Sequence, residues 1–381
     1  MALSDFTSGV AGSTMKFQVQ RYVGDYAHEM YTNAKKLSGT AIVGASAEIN
    51  TSIEDYLGQA RWYKPLMANI NVPSVTDATA GAYTETDTAF YKYAKTVRTH
   101  GAKEVNVQKV ISQEDGLAKI ARDFGETKAQ DEHNSILESL NGVAAYEVSR
   151  GGGITSFNTD CDDVNTGFYV DVNALGEFGA AATSSDDERK LIDSDPAVKG
   201  AARGERLFKA MGMAWKDYEA PFYYMITSPE TLADLRGANL VDDITITEGN
   251  LVFNTIFNGK FRLLLTRATG NDQSSSANVN DQSAKTTFIC KPDALTMKSL
   301  AVPMPVEMDR AAAAHGGSGT TDIWYRWGYV CHPMGYSWDG SETQFIQTSG
   351  TGGYDQADSF LNHHSPECLL GILLGALSRD Y

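Results

Sequence analysis

The sequence predicts an α+β fold in which the helices and the strands occupy different parts of the chain. A long helical pattern follows an extended N-terminal third, a mixed block comes next, and the last third consists mainly of strand patterns. Hydrophobic residues make up 42% of the 381 residues and charged residues 21%, a balance typical of globular proteins. This length is enough for one large domain or for several smaller ones.

The N-terminal third has no strong helical period. Residues 1–51 mix short polar and apolar stretches, which predicts an extended arm, although GDYAHEMYTNAKKL within it is compatible with one helix. Residues 52–107 are rich in Thr, Val, Tyr and Phe and are broken by Pro73 and Gly81, which predicts a long β-hairpin. Because this hairpin has few large aliphatic residues, we expect it to pack on another surface.

The clearest single element is a helix over residues 112–142. Ser112 and Asp115 form an S-x-x-D capping pattern, apolar residues then recur at three- and four-residue spacing, and Asn141–Gly142 predicts the C-terminal end. At about 1.5 Å per residue the helix is roughly 45 Å long. Its middle, ETKAQDEHN, is polar on all sides, which predicts that the helix crosses a surface and not a core.

The remaining chain divides into a mixed block over residues 195–285 and a strand-rich part over residues 286–338. Within the block, SPETLADLRGA predicts a short helix that Ser228 caps, and Asn258–Gly259 predicts the turn of a β-hairpin. Near the C-terminus, LLGILLGAL predicts a buried helix or strand. It is far shorter than the roughly 20 apolar residues of a membrane helix.

Cys331 and His332 are the strongest candidates for chemistry, because thiolate catalysis uses a thiol beside an imidazole. A strand pattern runs from Thr321 to Pro333, however, and adjacent residues of a strand point to opposite faces. The two side chains are therefore predicted to lie back to back in a packed strand, which Pro333 ends and Gly335 turns.

Other patterns of catalysis or metal binding do not occur in the sequence. The four cysteines are widely spaced, His363–His364 and Cys368 lack metal-ligand spacing, and DCDD lacks the spacing of an EF-hand loop. No phosphate-binding loop, nucleophile elbow or basic start of a signal peptide is found. We therefore predict no catalytic residue, no metal and no cofactor, which favours a structural or binding role.

The charge balance restricts the partners. The chain has 32 basic and 48 acidic residues, and the resulting net charge of −16 repels nucleic acid. A protein that must lie near DNA without adhering to it benefits from such a surface.

The order of the elements resembles the major capsid proteins of tailed phages, which have the HK-ninety-seven-type capsid fold. The stretch DRAAAAHGGSGTTDIWYRWGYVCHPMGYSW is similar to a Gly-rich loop followed by a strand ending in H-P-x-G-[FY]-x-W in one branch of that family. TSPETLADLRG is similar to a strand-to-helix step of its axial domain. The resemblance implies these parts: an N-terminal arm (1–51), an E-loop (52–107), a peripheral domain (108–194 and 286–338) with a spine helix (112–142), an axial domain (195–285), and a C-terminal insertion and closing segment (339–381).

The same resemblance implies a function. Many copies assemble as pentamers and hexamers into an icosahedral shell that encloses phage double-stranded DNA without binding it specifically. The protein is then located in the virion and assembled in the host cytoplasm, without a membrane. A portal is an implied partner, and scaffold or cement proteins are further candidates. Since the family's E-loop reaches over a neighbouring subunit and aromatic residues dominate such contacts, the predicted intersubunit contacts are Trp62, Tyr63, Phe90, Tyr91 and Lys92.

Two alternatives remain open at this point. One is an encapsulin-like cellular nanocompartment shell of the same fold, which particle contents would distinguish: an enzyme cargo in place of DNA. The other is a cysteine-dependent hydrolase that uses Cys331 and His332, which a reactive Cys331 thiol and measurable turnover would support.

Overall fold

The structure is a computed structural model of the chain. The described residues are 12–44, 49–63, 88–105, 116–149, 211, 215, 220–227, 229–237, 240–248, 251–266, 286–311, 319–339, 345–346, 353–354, 359–362 and 372–376. None of the helices found among them combines the length and the apolar character that crossing a membrane requires.

The described elements confirm the α+β class. The helices are α1 (Gly12–Ala34), α2 (Gly116–Ser149) and α3 (Pro229–Gly237). The strands are β1 (Val43–Gly44), β2 (Leu57–Tyr63), β3 (Thr88–Ala94), β4 (Thr96–Val105), β5 (Tyr223–Thr227), β6 (Val241–Glu248), β7 (Leu251–Ile256), β8 (Phe261–Leu265), β9 (Thr286–Cys290), β10 (Leu295–Ser299), β11 (Val306–Ala311), β12 (Thr320–Pro333), β13 (Tyr336–Trp338), β14 (Phe360–Asn362) and β15 (Ile372–Ala376).

The prediction of an extended arm is wrong for residues 12–34, which form α1. Val19, Val23 and Ala27 recur at four-residue spacing on one face of α1, and all three are buried. The helix packs on α2, where a Cβ atom at Gly125 would overlap the carbonyl oxygen of Ala27. The glycine therefore permits a close approach of the two helices.

Helix α2 confirms the predicted long helix but not its predicted end. It continues to Ser149, so the stop signal at Asn141–Gly142 is wrong. Gly142 lies directly against the carbonyl oxygen of Tyr354, and any larger side chain would overlap that atom. Its glycine thus allows another segment to pack on the helix. The predicted cap, Ser112, lies outside the described residues.

One face of the polar middle of α2 is buried, at Ala129 and Glu132, which corrects the prediction that this part of the helix crosses a surface; Glu126, Gln130 and Asn134 are exposed. Glu132 is 1% exposed, because α1 lies over this part of the helix. The Tyr31 hydroxyl donates to the Glu132 carboxylate, whose two oxygens are 2.9 and 2.7 Å away. A buried carboxylate requires such partners, and α1 supplies one.

A five-stranded sheet packs on α2 with β12 at its centre. One side of β12 pairs with β4, and the other pairs with β11 and β10 in succession. Strand β1 extends the sheet beside β10. The placement of β4 corrects the predicted hairpin over residues 52–107, since residues 96–105 belong to this sheet.

A six-stranded sheet has the order β15-β9-β5-β8-β7-β6. Strands β7 and β8 form the predicted hairpin, and Asn258 and Gly259 have φ angles of 57° and 81°, which an Asn-Gly turn accommodates. Helix α3 follows β5 as predicted, while its predicted cap, Ser228, is not among the described residues. Strand β9 lies in this sheet, so the expectation that residues 286–338 all return to the other sheet is wrong for Thr286–Cys290.

The C-terminal part of the chain contributes to the core. Ile346, Tyr354 and Phe360 are each at most 2% exposed, and β14 pairs with β13. Strand β15 closes the six-stranded sheet beside β9, so Ile372–Ala376 of the apolar C-terminal stretch form a strand and not a helix. These buried positions lie within residues 339–381, for which the resemblance implies an insertion and a closing segment.

Candidate assembly element

Strands β2 and β3 form a two-stranded antiparallel sheet of their own, here called the ribbon. Its register runs from the pair Leu57–Ala94 to the pair Tyr63–Thr88. A two-stranded hairpin is marginally stable alone and needs another surface for support. In the described chain that support lies under one face only.

The inner face of the ribbon is packed. Tyr93 is fully buried against Gly58, where a Cβ atom would overlap the tyrosine ring, and its hydroxyl accepts a hydrogen bond from the Asn50 N–H at 2.8 Å. Tyr93 belongs to a small hydrophobic cluster that is separate from the main core and consists of Ile49, Ala60, Tyr91, Tyr93, Leu300 and Val330.

The outer face carries exposed side chains. Phe90 is 52% exposed, and the Arg61 guanidinium lies 5.5 Å from the centre of its ring. Lys92 is also exposed, while its backbone N–H donates to the Ser337 hydroxyl at 3.0 Å. The outer face therefore presents an aromatic ring and two cations.

The five predicted contact residues divide according to strand alternation. Phe90 and Lys92 lie on the outer face and stay predicted contacts. Trp62 and Tyr63 lie on β2, and their side chains are outside the described residues. Tyr91 is 4% exposed and stacks on His332 at 5.0 Å between ring centres, so the chain itself covers it. We therefore withdraw Tyr91 as a surface contact.

The ribbon continues into β4 through one residue, Lys95. Close to this junction, Thr96 and Tyr354 share a hydrogen bond of 2.8 Å between their hydroxyl oxygens, and both residues are fully buried. Arg98 donates to the carbonyl of Ile346 at 2.7 Å. The C-terminal segment thus packs against the junction of the ribbon and the sheet. No motif in the sequence marks Arg98 or Tyr354, because their partners lie 248 and 258 positions away along the chain.

Cys331 and His332 lie on opposite faces of β12, as predicted. The Cys331 thiol faces α2, 3.5 Å from the Ser139 hydroxyl, and burial raises its pKa to about 12. The His332 ring faces Tyr91, its Nε2 atom lies 2.8 Å from the carbonyl oxygen of Tyr336, and burial lowers its pKa to about 4. The thiol thus stays protonated and cannot pass its proton to this imidazole, so the pair cannot perform thiolate chemistry.

The face of β12 that carries Cys331 joins α2 through polar contacts as well as rings. The Asp131 carboxylate accepts hydrogen bonds from Trp327 Nε1 at 3.0 Å and from the Tyr329 hydroxyl at 2.9 Å. Phe124 stacks on Tyr325 with 5.4 Å between ring centres. These contacts fix the sheet on the helix. Across the ranges that the structure describes, no group of three or more His, Cys, Asp or Glu residues is arranged to hold a metal.

Comparison with known proteins gives similarity to solved structures only. No protein-family model matches the sequence, and no curated protein matches it significantly. The capsid of Ralstonia phage GP4 is 13% identical over 91% of this chain and 90% of that chain, with a TM-score of 0.47. The head structure of Helicobacter pylori bacteriophage KHP40 is 8% identical over 91% of each chain, with a TM-score of 0.44. The cyanophage Pam1 capsid is 10% identical over 85% of this chain and 86% of that chain, with a TM-score of 0.42.

Proposed function

We propose that this chain is the major capsid protein of a tailed phage, with the HK-ninety-seven-type fold, and that many copies assemble as pentamers and hexamers into an icosahedral shell around double-stranded DNA. The sequence resemblance supports this proposal, and so does the order of the described elements. Along the chain, the order is an N-terminal segment, the ribbon, a long helix, a separate sheet with a short helix, and returning long strands. In this proposal the ribbon is the E-loop and α2 is the spine helix.

The observation that carries the proposal is the one-sided support of the ribbon. Its inner face is buried by the chain, whereas its outer face exposes the Phe90 ring beside Arg61 and Lys92. Aromatic residues and arginine are enriched where protein surfaces meet. A neighbouring copy that covers this face would complete the ribbon, and head-to-tail contacts of this kind close into rings.

The proposal is tested by electron microscopy and mass photometry of the full-length protein over a range of concentrations. We expect rings of five and six copies at low concentration and closed shells of uniform diameter at high concentration. A protein that stays monomeric at every concentration, with no ordered particle in the images, would contradict the proposal.

An encapsulin-like nanocompartment shell is distinguished by what the particles contain. Particles from the native source should hold double-stranded DNA, whereas an enzyme cargo would favour the compartment. The net charge of −16 leads us to expect that empty shells bind added DNA weakly. Tight, salt-sensitive binding of DNA would overturn that part of the proposal.

A further inference from the structure

Lys95 is the single residue between the ribbon and the five-stranded sheet: β3 ends at Ala94, and β4 begins at Thr96. Its side chain is 2% exposed, which is unusual for a lysine unless the ammonium group has partners. The ammonium nitrogen donates to the carbonyl oxygen of Ser52 at 2.6 Å. Ser52 belongs to the segment that leads into β2, so this bond connects the end of the ribbon to its beginning.

The backbone of Lys95 connects two further segments. Its N–H donates to the carbonyl of Tyr56 at 2.9 Å, and its carbonyl accepts from the Ile346 N–H at 3.2 Å. Lys95 therefore contacts the incoming segment twice and the C-terminal segment once, while its chain neighbours lie in the ribbon and in the sheet. Of these three hydrogen bonds, the one from the ammonium group is charge-assisted, the stronger class.

The charges around Lys95 fit this arrangement. The carboxylates of Asp55 and Glu54 favour the charged ammonium form and oppose the effect of burial, which lowers the pKa of Lys95. A second ammonium group, that of Lys298 on β10, donates to the carbonyl of Ile49 at 2.8 Å. Two lysines thus hold backbone carbonyls of residues 49–52, whereas an apolar side chain at position 95 would supply no donor.

We propose that Lys95 is a positioning residue, whose ammonium group fixes the direction in which the ribbon leaves the sheet. This inference rests on the proposed function, because the direction matters for assembly only if the ribbon meets a neighbouring copy. In that case Lys95 determines whether the exposed face of the ribbon reaches the neighbour in one geometry or in several.

The test compares Lys95→Met with Lys103→Met by hydrogen exchange and mass spectrometry on the unassembled full-length chain. Methionine keeps an unbranched side chain that is one heavy atom shorter and removes the donor. We expect amides of residues 50–63 and 88–95 to exchange roughly tenfold faster or more in Lys95→Met, since a bond from a charged donor is lost. Exchange in α2 should not change. Lys103 is the matched control, because its side chain is 55% exposed and its ion pair with Asp322 is a surface pair. Equal exchange of the ribbon in both variants would overturn the proposal.

Labelling of the wild-type chain keeps the proposal testable if Lys95→Met does not fold. Acetylation of lysines should reach Lys103 quickly and Lys95 slowly, and molecules acetylated at Lys95 should show the faster ribbon exchange. Rapid acetylation of Lys95, or acetylation without a change in ribbon exchange, would refute the role of the ammonium group.

Electron microscopy of the Lys95→Met variant then separates this inference from the proposed function. We expect irregular or open particles from Lys95→Met and uniform shells from Lys103→Met and the wild type. If the wild type forms no shells, the proposed function fails, while the exchange experiment still decides the role of Lys95. Uniform shells from Lys95→Met would contradict the assembly part of the inference.

Discussion

Two phenylalanines represent two regions of the molecule that are stabilised in different ways. Phe124 of α2 is fully buried, stacks on Tyr325 and belongs to the main core, which the chain completes by itself. Phe90 of the ribbon is 52% exposed, and its strand has a packed inner face but an open outer face. The first region is built for the stability of one chain. The second has the surface expected of an element that a neighbouring copy completes.

The largest effect on stability is expected from Phe124→Ala. Removal of a fully buried ring lowers the free energy of unfolding by about 3–5 kcal/mol, through lost burial and the cavity that remains. Denaturant unfolding of the unassembled chain measures the loss. A change below about 1 kcal/mol would show that the helix–sheet region is not the main source of stability.

The next largest effect is a loss of stability in acid that depends on His332. Burial lowers the pKa of His332 from 6.5 to about 4. The neutral ring therefore contributes fully to the free energy of unfolding above pH 6.5, and this contribution is lost as the pH falls towards 4. This shift corresponds to about 3 kcal/mol. His332→Phe keeps a ring against Tyr91 and cannot be protonated, so its unfolding free energy should fall less over this range.

Burial also lowers the pKa of His133 to about 4. Its protonation therefore lowers the unfolding free energy of the wild type and of His332→Phe by the same amount over this pH range. The difference between the wild type and His332→Phe therefore isolates His332. Parallel pH profiles of the two proteins would show that His332 is not held in its neutral form.

A smaller effect is expected from Tyr31→Phe, which removes the donor to the Glu132 carboxylate. Burial raises the pKa of Glu132 above 4.5, and the Tyr31 hydrogen bond opposes that rise. The ionised carboxylate therefore costs more in the variant, by about 1–2 kcal/mol at neutral pH. Below pH 4.5 the Glu132 carboxyl is neutral in both proteins, so the difference in unfolding free energy between them should be smallest there. The difference should grow as the pH rises and the carboxylate ionises.

Unfolding measured at several pH values checks this dependence. A difference between Tyr31→Phe and the wild type that stays constant from pH 4 to pH 8 would mean that the hydroxyl does not act through the charge of Glu132.

The smallest effect on the single chain is expected from Phe90→Ala. An exposed ring contributes little, so the free energy of unfolding should change by less than about 0.5 kcal/mol. Assembly should nevertheless be reduced, which light scattering against concentration would measure. Normal assembly by this variant would remove Phe90 from the predicted contacts, and a large loss of stability would show that its ring is not free in the single chain.

The sequence predicts best where one local pattern is long. Strand β12 spans 14 residues, and its alternation correctly separates Cys331 from His332 and leads to the turn at Gly335. The turn at Asn258–Gly259 is similarly local, because its backbone conformation depends on those two residues.

The sequence predicts poorly where distant segments decide the structure. The hairpin predicted over residues 52–107 extends too far, because only Lys95 separates β3 from β4 and only the pairing with β12 assigns β4 to the sheet. One face of the polar middle of α2 is buried because α1 packs on it at Glu132, and no pattern within α2 indicates this. The role of Tyr354 against Thr96 depends on two residues 258 positions apart.

The central claim is that a neighbouring copy completes the ribbon, and hydrogen exchange before and after assembly tests it most directly. We predict that amides of residues 57–63 and 88–94 exchange more slowly in assembled particles than in the unassembled chain, while the amides of α2 near Phe124 change little. Equal exchange of the ribbon in both states would contradict the claim, because the outer face would then stay open in the assembly.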